Sequence, residues 1–140
     1  MRRPSPPAVL AVNPDRVRLE RLRELLSEGG YRVLVARTAE LALQLLSGLN
    51  VRCILSAERL DDGHTGMELL ERVHARSPHT ALILLGDEPD LEGHPHIFGW
   101  LPDDCDQSAL LGMVKLAHSQ AQLDASARVH GLPATERASA

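Results

Sequence analysis

Five short apolar runs punctuate this chain, at 8–12, 31–36, 52–57, 81–85 and 97–101, and four of them lead into a stretch of helical period. The runs are too short for helices, and they are continuous rather than alternating. Both properties point to strands buried on two faces. Repeated strand–helix units of this kind build a parallel sheet with helices on each side, linked by right-handed crossovers. The expected fold class is α/β: a doubly wound, five-stranded parallel sheet in the order 2-1-3-4-5. In such a sheet the ligand crevice lies at the carboxyl ends of the strands. The segments after Val12, Ala57 and Leu85 should therefore converge.

Local signals set the helix limits. Pro14 and Asp15 open the first helix, Leu19, Leu22, Leu25 and Leu26 give it one apolar face, and Gly29 and Gly30 end it. Thr38 can cap the second, whose Leu41, Ala42, Leu45 and Leu46 face inward, and Gly48 stops it. Thr65 and Glu68 have capping-box spacing, so the third helix starts there and ends near Arg76, before Pro78. Asp106 can cap a last helix from Gln107 to about Leu123. The connection 86–96 carries Pro89, Gly93 and Pro95 and is thinly apolar, so the fourth helix should be short or missing. The expected organisation is a flexible leader over 1–7, a folded domain over 8–123, and a linker or disordered tail over 124–140.

Composition narrows the function. The net charge is −4 with the signs interspersed, and no basic stripe favours nucleic acid. No segment approaches membrane-spanning length. Cys53 and Cys105 are far apart and form no metal or redox motif, which suits a reducing cytoplasm. No Gly-rich phosphate loop, nucleophile elbow or base–nucleophile pair suggests an enzyme. No cofactor and no metal is expected. His94 and His96 are splayed by Pro95 and read as loop histidines.

Three segments carry a resemblance. The first is Leu22-Arg23-Glu24-Leu25-Leu26 followed by Gly30-Tyr31. The second is the loop from Ser56 to Gly66 leading into Met67-Glu68-Leu69-Leu70, and the third is Phe98-Gly99-Trp100-Leu101-Pro102. With their spacing, they resemble response-regulator receiver domains of the chemotaxis type over about residues 8–123. The resemblance implies a flavodoxin-like fold and a place in bacterial-type two-component signalling.

It also implies a degenerate site. The family's magnesium-binding acidic pair falls on Asn13 and Pro14, with Asp15 the one carboxylate left in that loop. The phosphoryl acceptor falls on Ala57, the switch hydroxyl on Gly86, the lysine on Asp103 and the cis-proline on Asp104. Phosphoryl transfer rests on positioning and charge neutralisation, and magnesium requires anionic oxygens. These residues supply neither. The implied function is a non-phosphorylatable pseudo-receiver that works by protein–protein contact, with a kinase, an output domain or a second copy as partner. A competing expectation is a small-ligand sensor, since Ala57 and Gly86 leave room beside the acceptor position.

Other residues enter as candidates. Glu58 should point away from the Ala57 direction if the strand continues through it. Ser56 lacks a base to activate it. Asp15, Asp103 and Asp61 could meet at the crevice as weak cation ligands, although surface acids are the simpler expectation. Trp100 either fills space left by the shortened fourth helix or anchors a partner. The last helix has a first apolar stripe of Leu110, Val114, Ala117 and Ala121 and a second of Met113, Leu116 and Leu123. One face suffices to rest on a sheet, so the second stripe is a candidate homodimer contact.

Overall fold

The computed structural model describes residues 8–129, with side chains described through 119. The sheet has five parallel strands in the expected order, β2-β1-β3-β4-β5. They are β1 (Ala8–Val12), β2 (Arg32–Ala36), β3 (Val51–Ala57), β4 (Ala81–Leu85) and β5 (Gly99–Leu101). The helices are α1 (Arg16–Glu28), α2 (Ala39–Gly48), α3 (Gly66–Arg76) and α4 (Gln107–Val129).

Two apolar layers sandwich the sheet. On one face α1 and α4 place Leu19, Leu22, Leu26, Leu110, Val114 and Ala117 over Val9, Cys53, Leu55 and Ile83. On the other, Ala42, Leu43 and Leu46 of α2 and Leu69, Leu70 and Val73 of α3 cover Leu10, Ile54, Leu82 and Leu84. Cys53 is fully buried, which pushes its thiol pKa up and leaves it an inert core group. Arg21 donates to the Cys105 carbonyl at 2.7 Å and Gln107 to the Leu25 carbonyl at 3.2 Å, which seats the start of α4 on α1.

The caps follow the sequence closely. Thr38 accepts from the Leu41 N–H at 3.1 Å, and Thr65 and Glu68 form a reciprocal capping box. Asp106 accepts from the Ala109 N–H at 2.8 Å. Asp15 is the N-cap of α1, and Pro14 lies before the helix rather than in its first turn.

Between β4 and β5 no helix forms among the described residues; the segment 86–98 crosses as turns and coil. Its Ile97 is buried and joins the α2/α3 layer, and Trp100 packs half-buried on the same layer. Two further boundaries differ from expectation by more than one residue. The strand predicted over 97–101 is only Gly99–Leu101, because Ile97 is held by a turn in which its N–H donates to the His94 carbonyl. The last helix continues to Val129, so 124–129 is helical although its composition suggested linker: Ala, Ser and Arg there carry no helix breaker. The expected leader 1–7 and the stretch 130–140 lie outside the described residues.

Candidate functional site

The loops after β1, β3 and β5 meet in a cleft of about 250 Å³ lined by Asn13, Pro14, Asp15, Arg18, Ala57, Glu58, Arg59 and Asp103. Of the seven positions that the resemblance implies, five therefore gather there; Gly86 stands beside it, against Glu58, and Asp104 is outside its lining. Ala57 closes β3, paired in register with Leu85 of β4, and is nearly buried. It brings only a methyl group to the cleft.

The acids around it are all engaged. The Asp15 carboxylate accepts from the backbone N–H groups of Val17 and Arg18 at 2.9 and 3.1 Å. Its own N–H donates to the Asn13 side-chain oxygen at 2.9 Å. Asp103 pairs with Arg18 at 3.0 Å. Asp61 pairs instead with Arg37 at 3.4 Å, and Arg37 also donates to the Pro14 carbonyl. Asp15 and Asp103 thus share a cleft with an arginine between them, while Asp61 is outside its lining. Among the described residues no group of three histidine, cysteine or acidic side chains is arranged to hold a metal ion.

Glu58 takes a role that strand alternation did not suggest. β3 ends at Ala57, so alternation stops one residue short of Glu58. Its side chain crosses to the end of β4, where Oε1 accepts from the Asp87 N–H at 2.5 Å. A Cβ on Gly86 would lie 2.5 Å from the Glu58 Cγ and Cδ, and Gly86 has φ +145°, a region L-residues avoid. The room expected from the loss of a side chain at Gly86 is therefore filled by Glu58.

Gly66 is the second glycine with a defined task. A Cβ there would run into the Ala57 carbonyl oxygen, and the Gly66 N–H donates to the Glu58 carbonyl at 2.7 Å. The start of α3 is thereby pressed against the end of β3. Ser56 is fully buried with its hydroxyl on the Ala57 carbonyl, out of reach of any phosphoryl donor.

Arg18 escaped the sequence reading. Its signal was available: it lies three residues after a capping aspartate, in the first turn of a helix that starts at the crevice. After β5 the cleft receives the Asp103 carboxylate, and its positive charges come from Arg18 on α1 and Arg59 after β3.

Of the interface candidates, Met113 turns inward, its Sδ 2.9 Å from where a Gly99 Cβ would stand. Leu116 points outward at 64% exposure. Leu123 lies beyond the described side chains. Trp100 is partly buried and packs against the α2/α3 layer.

With this geometry in view, comparison with solved structures decides the family. The signal receiver domain of an HD domain-containing protein from Pseudomonas fluorescens Pf-5 is 32% identical over 90% of this chain and 96% of that one, with TM-score 0.79. The chain belongs to the response-regulator receiver family. A CheY-like receiver from Methanospirillum hungatei JF-1 (23% identity, 86% of this chain, 99% of that one, TM-score 0.77) shares the fold. So does a receiver from Clostridium thermocellum (19% identity, 84% and 98%, TM-score 0.75). No protein-family model and no curated protein matches the sequence. Among the described residues of this receiver domain, no helix is long and apolar enough to cross a membrane.

Proposed function

We propose that this receiver domain is a pseudo-receiver: it takes part in two-component-type signalling without accepting a phosphoryl group and without being an enzyme. The observation that carries the reading is the Ala57 methyl group at the end of β3, where the family's acceptor carboxylate belongs. Three further features support it. The remaining Asp15 carboxylate is committed to capping α1. Asp103 is neutralised by Arg18. Glu58 fills the site over Gly86. Together they describe a pocket whose polar groups satisfy one another.

The domain then acts by contact. The Pseudomonas neighbour is part of an HD domain-containing protein, and another neighbour, from Carboxydothermus hydrogenoformans, belongs to a response regulator/sensory box/GGDEF three-domain protein. By analogy we assign this domain a regulatory role toward an attached output domain, a kinase or a second copy, with the outward face of α4 around Leu116 as contact.

Incubation with acetyl phosphate, or with beryllofluoride, in the presence of magnesium tests the phosphate part. The expected result is an unchanged intact mass and unshifted amide resonances at Ala57, Glu58 and Asp87. A phosphoryl adduct, or resonances that move around Ala57, would overturn the reading.

A further inference from the structure

The segment 86–98 occupies the place of a helix and makes few backbone hydrogen bonds of its own. Its middle is held to α3 by side chains. The imidazole rings of His74, on α3, and His96, in the segment, stack with centroids 3.7 Å apart and planes 17° from parallel. His94 Nδ1 lies 3.6 Å from Glu71 Oε1, one turn before His74 on α3. Immediately after His96 come the buried Ile97 and then β5 with Trp100.

We propose that His74 and His96 form a proton-operated clasp that keeps the 86–98 segment closed over the sheet at neutral pH and releases it on acidification. Two imidazoles stacked face to face tolerate one proton, but a second sets two like charges within van der Waals distance. Unstacking the rings removes that repulsion, so proton uptake favours the open segment. The sheet face beneath carries Leu82, Leu84 and Trp100. Opening would expose part of this apolar face to solvent.

The surrounding charges set the sign. Burial first, and His96 second, hold the His74 pKa below its ordinary value of 6.5, while Glu71 acts in the opposite direction. Protonated His94 is drawn to Glu71 and so resists opening. Glu68 and Arg72 line the cleft around His94 with opposite charges. The closed form is thus favoured above the ordinary histidine range and loses ground as pH falls through it.

Amide hydrogen exchange over 86–98, corrected for intrinsic rate, tests the clasp between about pH 7.5 and about pH 5. Emission of Trp100, the chain's single tryptophan, is followed in parallel. The opening constant should rise by up to about tenfold per pH unit, the limit for uptake of one proton. H74Q and H96Q should flatten both profiles, and E71Q should deepen the opening. His96 is exposed, so H96Q leaves the core intact. A pH-independent wild-type segment, or an unchanged transition in H74Q and H96Q, would overturn the proposal.

Discussion

The connection after β3 and the connection after β4 solve the same task by different means. Residues 58–65 are pinned by backbone. Gly66 donates to the Glu58 carbonyl, Leu60 to the His64 carbonyl, and Arg59 bridges Thr65. Asp62 reaches across to cap α2 at the Ala39 and Glu40 N–H groups, at 3.1 and 3.3 Å. Residues 86–98 instead depend on side chains reaching in from neighbours: Glu58 at one end, His74 and Glu71 in the middle, and the core under Ile97. The first connection should be rigid and intolerant of change, the second adjustable. The receiver frame is therefore held by backbone on one side of the β3 end and by side chains on the other.

The largest effect should come from breaking the rigid connection. Gly66→Val puts a branched side chain into the Ala57 carbonyl, against backbone that cannot yield. A loss of about 3 kcal/mol or more is expected by chemical denaturation, at the upper end of overpacking costs. If Gly66→Val unfolds no more easily than wild type, the junction is looser than its geometry implies.

Gly86 sharpens the comparison. Gly86→Ser would restore a hydroxyl, but into space held by Glu58 and at a backbone angle that favours glycine. It should cost about 2 kcal/mol. Removing the obstacle with Glu58→Ala in the same molecule should recover part of that loss, leaving the backbone term. Strictly additive losses would show that Glu58 does not fill the site.

These two glycines also show what was legible beforehand. The fold was readable because each strand is short, continuous and apolar and each helix start has its cap; the sheet order follows from handedness once the units are counted. The family resemblance directed attention to Ala57, and the structure places it at the end of β3 in the cleft. Glu58, Arg18 and the histidine stack were not readable. Each depends on where a long side chain goes after its element has ended or across to another element, and periodicity does not reach that far. The length of α4 was missed for a related reason. The segment 124–129 has neither a helix breaker nor an apolar period, so composition does not mark where the helix ends.

A third prediction concerns the opposite face, where α4 packs beside α1 on the sheet. His118 meets Tyr31 as a tilted ring pair, with centroids 5.2 Å apart and planes at 56°, and neither ring nitrogen finds a hydrogen-bond partner among the described residues. Burial, and then the Arg52 cation, hold its pKa below the ordinary 6.5. The unfolded chain therefore takes up the proton first, and stability should fall as pH drops below that value. His118→Phe keeps the ring contact and should flatten this dependence without opening 86–98. Thermal unfolding at a series of pH values, set beside the exchange profile of 86–98, separates a whole-domain effect from the local one. A midpoint that falls as steeply with pH in His118→Phe as in wild type would remove His118 from the account.

The smallest effect is expected within the cleft. Arg18 and Asp103 are half-exposed, at 54% and 36%, so their pair should contribute only about 0.2–1 kcal/mol and weaken with salt. Asp103→Lys sets two cations against each other and should cost a similar amount. Arg18→Asp combined with Asp103→Lys reverses the pair and should restore most of it. If the pair serves only to neutralise the cleft, both variants will remain indifferent to acetyl phosphate and magnesium, because a lysine after β5 has nothing to assist while Ala57 ends β3. A phosphoryl adduct in Asp103→Lys would instead mean that a residue other than Ala57 accepts the group and that the charge at 103 had been holding the chemistry back.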